Sequence, residues 1–418
     1  MIALDTPEML TTADGRPLAQ ALAVAQRRAK VRAFLLVLPL LAFIVITFVS
    51  PIIQVLQQSI YSPKFAENMP GMVQWFAANP IGTAPDEAAY AVLVADLQAA
   101  SDAKTVALVG ERVNFALPGT RSLYTAAGRK VKGMAPPFKE GLLAVDPKWG
   151  DVELWGVMRQ VSSAYTGDFF LNAVDMKRAP DGSIIRVEPE QRVYVDLFVR
   201  TFAIGALITL ICLILGYPVA HLLAVLPIRR SNLLMILVLL PFWTSLLVRT
   251  TSWIVLLQSQ GVINNILVSL GIIGEDGRLA MINNQLGTII AMTHILLPFM
   301  ILPLYSVMRP IPPSYARAAR SLGATSWTTF RRVYFPLTVP GIGAGTLLVF
   351  ILSVGYYITP ALVGGASGTL ISNLIAFHVN KSNNWSLAAA LATLLLAAIL
   401  ILYWLYDKIV GIDKLKLG

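Results

Sequence analysis

Residues Ser314–Pro340 read SYARAARSLGATSWTTFRRVYFPLTVP, a short, basic, amphipathic stretch between two long apolar runs. Pro312 and Pro313 stop the run that precedes it and leave φ set for a fresh helix start, because the proline ring fixes φ and removes a backbone donor. Tyr315–Leu322 then makes about two helical turns, with Ala318, Ala319 and Leu322 on one face. Small side chains on that face let another surface come close to the backbone. Gly323 is the natural left-handed terminator. Ser326 is placed to cap a second short helix, Trp327–Tyr334, and Pro336 to end it. The spacing predicts a helix–Gly–helix elbow with Arg317, Arg320, Arg331 and Arg332 on its other faces. Helices this short are marginal alone, so the elbow needs a partner surface.

The rest of the chain says where that elbow sits. Of 418 residues, 56% are hydrophobic and only 13% charged, a balance that belongs to membrane proteins. Crossing a bilayer core takes about 20 apolar residues. The runs that meet this are Phe34–Ile53, Thr201–Pro227, Leu233–Leu257 (interrupted by Arg249), Leu286–Met308, Pro340–Val363 and Ser386–Tyr406.

The formal net charge of +10 invites a nucleic-acid reading, but its placement argues against one. Arg27, Arg28, Lys30 and Arg32 precede the first run, and Arg229 and Arg230 lie between the second and third. Arg309 and the elbow arginines lie between the fourth and fifth. If six spans alternate, all of these fall on one side, as the positive-inside rule requires of cytoplasmic loops. Residues 59–197 carry 14 basic and 16 acidic side chains, a net of −2. Both termini are therefore expected inside.

The expected order is a cytoplasmic tail over 1–32 with a helical end at Leu18–Arg32, a first membrane helix over 33–57 and an external insertion over 58–197. A five-helix core over 198–410 follows, with the elbow loop at 312–340, and a cytoplasmic tail over 411–418. The first run is too long for a typical cleaved signal and is expected to remain as an anchor. In the insertion, Asp86–Ala99 has helical spacing, whereas Thr105–Gly110 and Arg192–Phe198 are rich in β-branched residues. Asp151 is placed to cap a helix. The expectation is a small α/β domain.

Ala318-Ala319-x-x-x-Gly323, nine further residues and then Val333-x-Phe335-Pro336 resemble the cytoplasmic coupling loop of ATP-binding-cassette importer permeases. Pro241–Trp253 (PFWTSLLVRTTSW) and Ile358–Gly365 (ITPALVGG) look like segments of the spermidine/putrescine-type permeases. The resemblance covers roughly residues 195–410 and the first run. It implies an all-α polytopic inner-membrane protein with six transmembrane helices of the type I importer permease fold, carrying a large periplasmic α/β insertion. It implies as partners an ATPase subunit dimer that binds the ATP, a second permease subunit and a periplasmic substrate-binding protein. The coupling residues it implies are Tyr315, Arg317, Ala318, Ala319, Leu322, Gly323, Ser326 and Pro336. Arg317 departs from the pattern, since the family usually has Glu there. The insertion is larger than the family's usual first external loop, and could either contact the binding protein or be an ornament.

The substrate reading stays open. Between Asp196 and Asp407 the acidic residues are Glu275 and Asp276, in a short external loop, so no span in this chain offers a carboxylate to a polycation. Trp243, Thr244, Arg249, Tyr356 and Tyr357 are the candidate pathway residues, with aromatic faces able to carry a cation. A polyamine or related amine is one substrate class; a zwitterion such as an opine, an amino-acid derivative or an organophosphonate is the other. Arg249 reads either as a gate or interface charge or as a snorkelling side chain.

Other classes fit less well. The dipeptide Gly-Lys is absent, so there is no phosphate loop. His221, His294 and His378, far apart, with the lone Cys212, make no convincing zinc site and allow no intrachain disulfide. Gly341-x-Gly-x-Gly345 lacks a strand–turn–helix context and fits close helix packing. No catalytic pair is visible, so no enzyme is expected and no cofactor of the chain's own. An autonomous secondary transporter would need coupling carboxylates or paired repeats. A membrane-anchored sensor would need neither the further spans nor the elbow.

Overall fold

The computed structural model describes residues 18–179 and 181–410. The expected tail at 411–418 and residues 1–17 of the N-terminal one lie outside the described residues. The chain divides into two compact units, 1–57 and 58–418.

The first unit holds most of one long helix, α1, which runs through Leu18–Ile44, a π turn at Val45–Val49 and Ser50–Ile60. The expected helical end at Leu18–Arg32 is thus continuous with the membrane run. The π turn has a local cause. Pro51 follows it, and a proline ring clashes with the carbonyl four residues back. The Ser50 N–H reaches back five residues to the Val45 carbonyl instead, which widens the turn. Leu36, Ile46 and Phe48 are exposed along this helix.

The second unit begins with the insertion. Its helices are α2 (Lys64–Asn68), α3 (Pro70–Ala78), α4 (Glu87–Asp102), α5 (Val106–Ala116), α6 (Thr120–Lys130), α7 (Phe138–Val145), α8 (Val152–Val161) and α9 (Asp168–Asn172). One short antiparallel hairpin, β1 (Met176–Arg178) with β2 (Ile184–Arg186), follows them. The expected α/β domain is therefore a helical domain with, among the described residues, a single hairpin. Thr105–Gly110 is helical because Val106, Val109 and Val113 recur on one face and are all buried, a period of three to four that overrides β-branching. Arg192–Phe198 enters a helix for the same reason: Leu197 and Thr201 are buried while Val195 and Val199 face out.

The core of the insertion centres on Trp149, whose carbonyl accepts from Tyr90 Oη (2.9 Å) and Trp155 Nε1 (2.8 Å). Asp96 accepts from the Gly71 and Met72 N–H groups at the start of α3. Burial raises its carboxyl despite those bonds. Asp151 precedes α8 as expected, but its side chain makes no capping bond.

The remainder contains α10 (Tyr194–Val225), α11 (Ile228–Leu239), α12 (Leu246–Leu257), α13 (Val262–Ser269), α14 (Gln285–Met308) and α15 (Pro313–Ser321). After them come α16 (326–355), α17 (Ile358–Val363), α18 (Ile371–Asn380) and α19 (Trp385–Val410). Helices α10, α14 and α16 pack around Ile208, Cys212, Met300 and Leu304. The glycine run does serve close packing: a Cβ on Gly345 would lie 2.7 Å from Met300 Sδ, and one on Gly341 3.2 Å from the Leu304 Cα.

Five helices among the described residues are long and apolar enough to cross a membrane: Ala25–Ile60, Tyr194–Val225, Gln285–Met308, Ser326–Gly355 and Trp385–Lys408. The expected third span, Leu233–Leu257, is instead a pair, Ile228–Trp243 and Leu246–Ser269, bent by 96°. Pro241 starts a tight turn over Leu240–Trp243 and Ser245 caps the new helix, so the apolar run is continuous in sequence but broken in space. The expected span Pro340–Val363 is Ser326–Gly355 followed by the separate α17.

The insertion packs on the rest of its unit. Phe169 of α9 shares a core with Leu197, Ile371 and Leu391. The Asp175 carboxylate accepts the Val193, Tyr194 and Val195 N–H groups and so caps α10. Glu111 pairs with Lys64 at 2.9 Å and accepts from Asn383 Nδ2 at 3.0 Å, in the turn between α18 and α19. Arg112 lies 5.0 Å over the Phe169 ring, and burial lowers its guanidinium to about 10.

Candidate functional site

The elbow forms as the sequence predicts in its first arm. Pro313 takes the first position of α15 and Leu322 its C-cap. Gly323 has φ of +85°, its N–H bonds the Arg320 carbonyl and the Ala324 N–H bonds that of Ala319. These two reverse bonds close the helix in the Schellman manner. Leu322 is 89% exposed at the tip, with Tyr315 also exposed. Ala318 and Arg317 face out, and Ala319 is half-buried.

The second arm differs in two ways. Thr325, not Ser326, is the cap: its Oγ1 accepts from the Thr328 N–H, and Ser326 is the first helical residue. Nor does Pro336 end the helix. A π turn at Phe330–Tyr334, closed by the Phe335 N–H on the Phe330 carbonyl, carries the chain past the proline into Phe335–Gly355. This is the device seen before Pro51, and its consequence is that the elbow's second arm and the membrane helix form one piece, α16.

That piece is tied to α10 by polar contacts. Tyr334 Oη lies 2.9 Å from His221 Nδ1, and Tyr217 Oη 3.1 Å from Thr338 Oγ1. Phe330 stacks with Trp327 and Tyr334 and meets the Tyr217 ring edge-on. Between α15 and the ends of α10 and α14 lies a cavity of about 840 Å³, lined by His221, Arg309, Tyr315, Arg317, Arg320 and Tyr334 among others. Arg309 spends its charge on the Ala224 and Leu226 carbonyls. No ion pair among the described residues involves Arg317, Arg320, Arg331 or Arg332.

Among the candidate pathway residues, Tyr356 lies within electrostatic reach of Arg249 and bonds Thr359. Arg249 and Thr244 come together: the guanidinium donates to the Pro241 carbonyl, to the Thr244 carbonyl at 2.9 Å and to Thr244 Oγ1 at 3.3 Å. It thereby satisfies backbone acceptors that the bend sets free, a structural use that neither sequence reading of Arg249 anticipated. Trp243, between Pro241 and Thr244 in sequence, is 74% exposed. Tyr356 packs on the α10–α14–α16 core, and the Tyr356 and Tyr357 carbonyls accept from Ser372 and Asn373. Polar pairs that the sequence did not single out lie nearby: Thr250 with Thr359 at 3.3 Å, and Trp253 Nε1 donating to His294 Nδ1 at 3.2 Å. Their members lie dozens of residues apart, so no local spacing could reveal them.

Among the described residues, five helices long and apolar enough to cross a membrane, two of them tied to each other by side-chain bonds, define a multi-pass membrane protein. Residues 201–410 match the family described as binding-protein-dependent transport system inner membrane component, and the chain belongs to that family: it is an inner-membrane transport permease and not an enzyme. The spermidine/putrescine transport system permease protein PotB of Haemophilus influenzae is 36% identical over 221 residues, covering 52% of this chain and 77% of its own. PotB of Escherichia coli K12 is likewise 36% identical, over 80% of its length. Among solved structures, a bacterial importer of the acidic polysaccharide alginate aligns with a TM-score of 0.43 and 18% identity over 53% of this chain and 80% of that one.

Proposed function

We propose that the chain is one of two permease subunits of an ATP-driven importer that takes polyamines from a periplasmic binding protein. The observation that carries this reading is 36% identity with permeases of spermidine/putrescine systems along most of their length. The bent pair 228–269 counts as one span, giving six, with both termini cytoplasmic and residues 58–197 in the periplasm. An ATPase dimer binds the nucleotide, and this subunit needs no cofactor. Tyr315, Arg317, Ala318, Ala319, Leu322 and Gly323 face the ATPase, while Ser326 and Pro336 belong to the arm that transmits its movement. ATP binding draws the ATPase subunits together; because the elbow's second arm and the span are one helix tied to α10 at His221, the bundle tilts with them and opens outward. Hydrolysis returns it to the inward-facing state. The bent pair, Arg249 and Thr244, with Trp243, Tyr356 and Tyr357, borders the path.

A second reading, import of a zwitterionic amine, is favoured by one feature: the spans hold no carboxylate between Asp196 and Asp407, and the charge at the bend of the broken pair is the cation Arg249. Uptake of labelled spermidine by cells expressing the whole transporter, competed by putrescine, opines, amino acids and aminophosphonates, separates the two. Competition by diamines alone is the expected result. Competition by zwitterions in place of diamines transfers the assignment to the second reading.

A further inference from the structure

The elbow is unusual in charge. From Gly277 to Tyr406 the sequence holds no acidic residue, while the loop and its approach carry Arg309, Arg317, Arg320, Arg331 and Arg332. Arg309 is consumed by two carbonyls, but among the described residues Arg317 and Arg320 have no carboxylate partner, and they border the cavity of about 840 Å³ beside α15. In a free subunit this costs nothing, since both are exposed. Docking changes that, because a cleft that takes up α15 removes water from both guanidinium groups. A buried charge left unpaired is strongly destabilising, and interface partners match opposite potentials.

We infer that the surface receiving this elbow is acidic: the ATP-hydrolysing partner places Asp or Glu side chains against Arg317 and Arg320, with an acidic segment seated in the cavity beside α15. Arginine suits this role, because its planar fork holds a carboxylate through two parallel bonds. The inference rests on the docking reading of the elbow and adds the chemistry of the partner. Pairing is then directional: a partner with a basic cleft is repelled, so the loop selects its own ATPase.

The chain provides a clean chemical test, because it has no lysine between Lys177 and Lys381. In the complete transporter, an R317K/R320K variant treated with a zero-length carbodiimide is expected to form an amide link from the new amine to an Asp or Glu of the ATPase, absent from the wild type. An R317E/R320E variant is expected to lose at least ten-fold of the co-purifying ATPase, and wild-type association to weaken as salt rises. The membrane level of permease is measured alongside, and R317Q/R320Q, expected to lose less than the reversal, serves where the reversal lowers it. If the carbodiimide gives no link and the charge variants keep their ATPase while G323V loses it, the elbow docks but the acidic seat is wrong. If G323V also keeps its ATPase, the docking reading itself fails. If the charge variants alter only membrane level or orientation, the arginines serve the lipid surface and the inference is overturned.

Discussion

Tyr334 Oη lies 2.9 Å from His221 Nδ1, and this contact joins the elbow arm of α16, near its start, to α10 near its end. Y334F keeps the ring stack on Phe330 and removes only the hydroxyl. The expected cost is about 1 kcal/mol of stability, the usual net worth of one hydrogen bond. Transport per ATP hydrolysed is expected to fall more than ATPase association does, which parallel uptake and hydrolysis measurements on the reconstituted complex will check.

Gly323 has φ of +85° and no atom within 4 Å of an added Cβ, so a substitution there meets backbone strain rather than a clash. G323N is expected to be tolerated, since Asn adopts this region comparatively readily, and G323V to open the elbow, since β-branched residues resist it. The order Gly, Asn, Ala, Val in retained ATPase is the prediction, read by co-purification.

Met300 sits against the backbone of Gly345, with 2.7 Å from its Sδ to the position of an added Cβ. G345A is expected to destabilise the α14–α16 contact by about 1–3 kcal/mol, the range for overpacking. Shortening the opposing side chain, in G345A/M300A, should give less than the sum of the two single losses, because both changes share one space. Thermal unfolding of the four proteins in detergent measures the coupling.

Burial would push the Glu111 carboxyl up, but bonds from Lys64 and Asn383, with the charges of Lys64 and Arg121, hold it below the ordinary glutamate value of 4.5. A carboxyl lowered by folding stabilises the native state fully above its unfolded value and loses that contribution as the pH falls through its folded one. Asp96, raised by burial, works in the opposite sense, so the difference between wild type and E111Q is the readout. Melting temperatures are expected to differ most at neutral pH and to converge as the pH falls through the lowered folded-state value of Glu111.

What the sequence revealed follows physical locality. Schellman closure at Gly323 depends on six consecutive residues, and the first arm was legible from them. The second arm was not, because Pro336 carries the same local signal whether a helix stops there or widens into a π turn; packing of Phe330 and Tyr334 on α10 decides. The bend at Pro241 was hidden because an apolar run looks alike straight or folded by 96°. Thr105–Gly110 misled because β-branching speaks to propensity, whereas burial of Val106, Val109 and Val113 on one face settles the outcome. The ties from Glu111 to Asn383 and from Tyr334 to His221 span too much sequence for any spacing rule to find.

The most direct test of the central claim is accumulation of labelled spermidine in proteoliposomes containing both permeases and the ATPase, with the binding protein outside and ATP inside. The account predicts uptake that needs both ATP and binding protein and that G323V abolishes while the permease remains in the bilayer. Uptake that proceeds without ATP, or that G323V leaves unchanged, would contradict it.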